Sequence, residues 1–225
     1  MSYKINGIIF DFNGTLFWDS KMHDKAWNEF AIKHRGKELT PEDLLLRVHG
    51  KINKDILAFV FGRELTIDEA LKFSEEKEEL YREIVTSSKQ KYSLAEGAEK
   101  LLDQLSINKI PFTIATSSEK SNVDFYYEYL ELHRWFDYDK IVYENGQMKP
   151  KPDPDIFLIA ANKIGIPIEE CMILEDSYTG IKAARSSGAV KVLFVENDVP
   201  VSYKKVKPLV DGRIKNLMDL MDWLG

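Results

Sequence analysis

Residues Ile8 to Leu16 read Ile-Ile-Phe-Asp-Phe-Asn-Gly-Thr-Leu, an apolar run that stops at an aspartate and is broken by Gly14. The stretch from Ile5 to Phe12 is short, β-branched and aromatic, with no amphipathic helical period. That pattern predicts a strand buried on both faces of a parallel sheet. A carboxylate at the carboxyl end of such a strand points into the crevice where open α/β sheets bind ligands. Standing alone, Asp11 reads as well as a turn cap, so the rest of the chain has to decide.

Further runs share the format of the first: Phe112 to Thr116, Met172 to Leu174, Val190 to Val195 and, more weakly, Lys140 to Tyr143. The first run and those at Phe112 and Met172 are followed by helical patterns. The alternation predicts right-handed βαβ crossovers and an α/β fold, a Rossmann-like parallel sheet with helices on both faces. Asn145-Gly146 is a hairpin signal and predicts a small flap. Ile214 to Leu224 carries apolar residues at helical spacing, and Leu94 to Ser106 reads as an amphipathic helix leading into the second strand.

The alternation fails between Trp18 and Ser88. Helical patterns follow one another there without a strand, at Asp24–His34, Pro41–Val48, Lys54–Phe61 and Asp68–Ser87, two of them opened by Thr40 and Thr66 with acids in the first turn. This predicts an α-helical domain, residues 18–88, inserted into a core made of 1–17 and 89–225.

At 225 residues, 44% hydrophobic and 30% charged, the chain can bury a proper core, and its net charge of −6 offers no general attraction for nucleic acid or anionic lipid. No apolar run approaches the roughly 20 residues that span a bilayer. The expectation is a cytoplasmic monomer acting on a small soluble substrate, with no nucleic-acid or membrane partner. The single cysteine, Cys171, precedes an apolar run with nothing basic beside it, so it reads as an inert buried thiol.

Placed on the expected sheet, one rim collects Asp11 and Asn13, then Thr116 and Ser117, then Lys151, then Glu175-Asp176. Each alone has a plain structural reading, as a cap or a solvated lysine. Together they supply what phosphoryl transfer through an aspartyl-phosphate needs: a nucleophile, a hydroxyl, a cation and a carboxylate pair suited to Mg²⁺.

With these residues in place, the chain resembles the haloacid dehalogenase superfamily of phosphotransferases over essentially its whole length. Asp11-x-Asn13-Gly14-Thr15 is similar to its first motif, Thr116 to the second, Lys151 to the third and Glu175-Asp176 to the fourth. Asp19-Ser20-x-x-His23-x-x-Ala26-Trp27 and Leu174-Glu175-Asp176-Ser177-x-x-Gly180-Ile181 resemble the beta-phosphoglucomutase-like subgroup, with the insert as a small helical cap. The resemblance implies a catalytic set of Asp11, Asn13, Thr116 and Lys151. It also implies Mg²⁺ on Asp11, Glu175, Asp176 and the Asn13 carbonyl, and substrate contacts from His23, Trp27, Lys51, Asn53 and Ser117. Hinges are then expected near Phe17–Asp19 and Ser87–Tyr92. The leading expectation is a Mg²⁺-dependent phosphohydrolase acting on a small phosphomonoester, a sugar phosphate first among them. A hexose-phosphate mutase and a catalytically weak phospholigand binder are the alternatives. Asn53 stands where the mutase carries a phosphate-binding arginine.

Asn13 stands where the resemblance calls for an aspartate that protonates the leaving oxygen and activates water. An amide does neither, and loss of general acid–base catalysis costs on the order of 10²–10⁴ in rate. Asn13-Gly14 is also a pair in which deamidation to aspartate is sterically easy.

Overall fold

The structure, a computed structural model, describes residues 4–49, 51–88, 92–198 and 203–224. The chain divides into two compact units, Met1–Trp18 with Ser93–Gly225, and Asp19–Tyr92.

The first unit is built on β1 (Gly7–Phe10), buried along its whole length as the unbroken apolar run requires. After β1 the chain leaves for the second unit, which holds α1 (Ser20–Arg35), α2 (Pro41–Asp43) running into a π-helical turn at Leu44–Val48, α3 (Asn53–Phe61) and α4 (Ile67–Ser87). It then returns as α5 (Ala98–Ile107), β2 (Phe112–Glu119), α6 (Lys120–Tyr129), β3 (Val142–Glu144), α7 (Asp155–Ile164), β4 (Cys171–Glu175), α8 (Tyr178–Ser186), β5 (Lys191–Val195), α9 (Tyr203–Val206) and β6 (Gly212–Ile214).

The strands form one parallel sheet in the order β3-β2-β1-β4-β5-β6. The chain winds one way from β1 through β2 and the other way through β4, so the end of β1 is a topological switch point. Phe10 pairs with Ile114 on one side and Leu174 on the other. The next residues, Asp11, Ala115 and Glu175, therefore emerge at one level of the same edge. On one face, Ile9, Ile173, Val192 and Phe194 belong to a core that includes Ile156, Phe157, Ala160 and Ile181 from α7 and α8. Cys171 lies in that core, and burial, aided by the charges of Glu170 and Glu169, pushes its thiol up to about 12. It is a protonated space-filler.

The second unit has its own core of Trp27, Phe30, Ala31, Leu57 and Val60. Thr40 with Asp43 and Thr66 with Glu69 close reciprocal capping boxes, which satisfy the first amides of α2 and α4.

Three sequence expectations need correction. No hairpin forms at Asn145-Gly146: β3 pairs in parallel with β2, and the turn closes on itself, Gln147 N–H donating to Asn145 Oδ1 at 3.0 Å. The helix expected from Leu94 begins only at Ala98, because Gly97 sits in a left-handed conformation at φ +82°. The tail contributes an edge strand, β6, before a 3₁₀ helix at Leu217–Trp223, where an amphipathic α-helix was expected. Of the hinge expected at Ser87–Tyr92, residues 89–91 lie outside the described residues, as does Gly50 of the cap segment.

Candidate active site

At the switch point Lys151 Nζ donates to Asp11 Oδ1 at 2.6 Å and to Glu175 Oε1 at 2.7 Å, with all three side chains buried. Burial alone would lower the lysine's pKa, but the two carboxylates outweigh it and raise it, so the ammonium is permanently charged. Asp176, the next residue on this edge, is held by Asn197 Nδ2 at 2.8 Å and by the Thr15 hydroxyl at 3.5 Å. Burial first, then the charges of Glu175 and Asp11, drive its carboxyl well above the usual carboxylate range.

Two glycines make this density of carboxylates possible. Gly14 lies at φ +84°, and a Cβ there would fall 2.2 Å from Asp176 Oδ2. A Cβ on Gly180 would fall 1.6 Å from Glu175 Oε1. Glu175 thus lies against the first turn of α8, where it also accepts the Ser177 N–H at 2.6 Å. Gly180→Ala is expected to displace that carboxylate from Lys151 and to lower stability by about 2 kcal/mol, roughly 4–8 °C in thermal midpoint, as an overpacked core does. A calorimetric melt checks this, and an unchanged midpoint would contradict it.

Asp11, Glu175 and Asp176 offer carboxylate oxygens within 4.8 Å of one another. Against three carboxylates the cluster sets one lysine, so negative charge is in excess in a buried place. Hard oxygen donors with excess negative charge fit a divalent cation of the Mg²⁺ class.

Asn13 follows Asp11 by two residues, and its carboxamide is bound at both its oxygen and its nitrogen. Ser118 Oγ donates to Asn13 Oδ1 at 2.7 Å and Thr116 Oγ1 does so at 3.4 Å, while Asn13 Nδ2 donates to the Tyr126 hydroxyl at 3.0 Å. Thr116 Oγ1 in turn accepts the Ser118 N–H at 3.1 Å. Ser117, expected at the site, is exposed, because β2 runs on through Glu119 and side chains alternate across a strand. Ser118 shares the face of Thr116 instead. The Gly14 N–H, which would have to attack the Asn13 side chain in deamidation, donates to Phe17 O at 2.7 Å. Asn13 is therefore expected to remain asparagine after prolonged incubation at neutral pH, as peptide mass mapping would read.

In the second unit, His23 stacks on Tyr81 with ring centroids 3.9 Å apart and lies between Asp19 Oδ2 at 3.2 Å and Lys77 Nζ at 3.4 Å. An ammonium only donates, so His23 Nδ1 accepts from Lys77 and Nε2–H donates to Asp19. Lys77 forms an ion pair with Glu78, which also accepts from Asn53 Nδ2 at 2.9 Å. Trp27, expected to contact substrate, is buried in the core of this unit against Phe30, its ring face 5.0 Å from the Lys77 ammonium. Lys51 is exposed. Lys77, Glu78, Ser118, Tyr126 and Asn197 were not singled out from sequence. Of these, only Ser118 carried a signal, its two-residue offset from Thr116.

Comparison with known proteins places this geometry in context. A family model described as haloacid dehalogenase-like hydrolase matches residues 5–188. A probable pseudouridine-5'-phosphatase of Drosophila melanogaster is 31% identical, covering 84% of this chain and 81% of its own. The fructose-1-phosphate phosphatase of Escherichia coli is 26% identical over 84% of this chain and 95% of its own. The crystal structure of a family IA, variant 3 hydrolase from Entamoeba histolytica superposes with a TM-score of 0.88 at 33% identity, covering 97% of this chain and 99% of that one.

Proposed function

Because the chain belongs to the haloacid dehalogenase-like hydrolases, we propose that it is a Mg²⁺-dependent phosphatase that hydrolyses a small sugar phosphate through an aspartyl-phosphate on Asp11. The observation that carries this reading is the buried Lys151 bridging Asp11 and Glu175 at 2.6 and 2.7 Å, at the end of the central strand. A carboxylate oxygen of Asp11 attacks phosphorus, and the bond from phosphorus to the sugar oxygen breaks. The Lys151 ammonium offsets the charge that builds on the phosphoryl oxygens. Water then attacks the acyl phosphate, the bond from phosphorus to the Asp11 oxygen breaks, phosphate leaves, and the departed sugar oxygen takes its proton from solvent water. Asp11, Glu175 and Asp176 would hold the metal ion, which when bound supplies further charge neutralisation at the phosphoryl group. Asn13 would donate a hydrogen bond to the departing oxygen without protonating it.

Two observations favour a sugar phosphatase over a mutase. Named relatives include phosphatases of fructose 1-phosphate and hexitols. In the second unit, Asn53 is bound to Glu78 and the charge of Lys77 is already matched by Glu78, with Asp19 close by. Within its own unit that cluster of Asp19, His23, Lys77 and Glu78 balances its charges internally and holds no surplus positive charge of the kind a second phosphate requires.

Phosphate release from a panel of sugar, alditol and nucleoside monophosphates is the test. Release with Mg²⁺ that is lost with excess chelator is expected. Interconversion of glucose 1- and 6-phosphates without free phosphate would favour the mutase, and no release from any ester would favour a phospholigand binder.

A further inference from the structure

We propose that Tyr126 is a positioning residue of the reaction, its hydroxyl fixing the Asn13 carboxamide as an oriented hydrogen-bond donor in partnership with Ser118. The Asn13 amide is clamped at both ends. Its oxygen collects the Ser118 hydroxyl at 2.7 Å and the Thr116 hydroxyl at 3.4 Å, and its nitrogen donates to Tyr126 at 3.0 Å. The Thr116 oxygen already accepts the Ser118 N–H, which aims the Thr116 hydrogen at Asn13. An amide nitrogen carries two hydrogens, so an acceptor on one fixes the direction of the other.

The tyrosine is held as firmly as the residue it holds. Only 1% of Tyr126 is exposed, and its ring packs on Phe12 at 4.7 Å and on Phe17 at 6.0 Å between centroids. Phe12 and Phe17 flank Asn13 in sequence. The aromatic contacts and the hydroxyl therefore anchor α6 to the same short loop that carries Asp11. A phenylalanine would supply the packing, and only the hydrogen bond requires a tyrosine.

The kinetic consequence rests on the phosphatase reading. A fixed amide donor helps an alkoxide leave and does little for a phenolate, which departs without help. In the full chain, Tyr126→Phe is expected to lower kcat about tenfold on a sugar or alditol phosphate, the loss of one oriented hydrogen bond. KM should stay within about twofold, and the rate on an aryl phosphate should hardly change. In an Asn13→Ala background the same substitution should cost nothing more, because the group it positions is gone.

A second readout is independent of activity. The Asn13 side-chain NH₂ pair in a ¹⁵N–¹H spectrum, identified by its disappearance in Asn13→Asp, should shift and exchange faster with solvent in Tyr126→Phe. An unmoved NH₂ pair overturns the proposal, as does an equal loss on alkyl and aryl esters or an undiminished loss in the Asn13→Ala background. A shifted pair in a protein that releases phosphate from no ester overturns the phosphatase reading and leaves the clamp standing.

Discussion

Asp11→Asn is expected to reduce phosphate release by on the order of 10⁴ or more, while the protein keeps its fold. Asp11 is the carboxylate at the end of β1, held at Oδ1 by Lys151. An amide in its place attacks phosphorus poorly and forms no stable acyl phosphate. The same change should spare stability. Lys151 keeps its 2.7 Å bond to Glu175, and the repulsion that raises the Asp176 carboxyl is partly relieved. A thermal midpoint no lower than wild type, together with activity at background, is the expected pair of results. Activity retained above about a tenth of wild type would dismiss Asp11 as nucleophile. A midpoint lowered by more than about 5 °C would mean that the activity loss reports unfolding rather than chemistry.

Asn13→Asp is expected to do the reverse and raise turnover on alkyl phosphates by on the order of 10², the lower end of what general acid–base catalysis supplies. The cradle accepts the change without rebuilding. Ser118 and Thr116 already donate to the oxygen of residue 13, and the Tyr126 hydroxyl can turn from acceptor to donor. The same three hydroxyls limit the gain. Hydrogen bonds to a carboxylate favour its charged form and lower its pKa, which leaves it a weaker acid donor at neutral pH. Steady-state rates across esters of graded leaving-group pKa would measure the effect, with the gain largest for the poorest leaving groups. An aspartate variant no faster than the parent on any ester would show that position 13 does not carry proton transfer.

Much of this architecture could be read from the chain, because a strand buried on both faces leaves an uninterrupted apolar signature. Ile8 to Phe10, Met172 to Leu174 and Val192 to Val195 each do so, and the edge residues Asp11, Thr116 and Glu175 follow from where such runs stop, whereas Lys151 stands in a proline-rich loop beyond β3. The elements that escaped are those whose stability comes from partners rather than pattern. β6 has three residues and exists because β5 offers it an edge. The Asn145-Gly146 turn obeys local side-chain hydrogen bonds in place of a second strand. In the site, Tyr126 lies 113 residues from the Asn13 amide it holds, and Asn197 lies 21 residues from Asp176 and 183 from the Gly14 carbonyl that it also binds, separations over which one sequence carries no pairing signal. The apolar run from Phe112 ends at Thr116, which puts Ser117 next to it on the rim. Three further residues of strand reverse which hydroxyl shares its face.

The strand that carries Asp11 has both its neighbours far downstream, β2 from Phe112 and β4 from Cys171. On a ribosome adding about 5–20 residues per second, roughly 10–30 s separate the emergence of β1 from that of β4. The helical insert, contiguous from Asp19 to Tyr92, has all its partners long before then. Until β2 emerges, Ile8, Ile9 and Phe10 form an apolar segment with two unpaired edges, and the edge that β4 will cover stays open until the end of the interval, a binding target for nascent-chain chaperones and a seed for misassociation. A stalled or truncated chain ending between the insert and β2 would hold a complete insert beside a β1 with nothing to pair against.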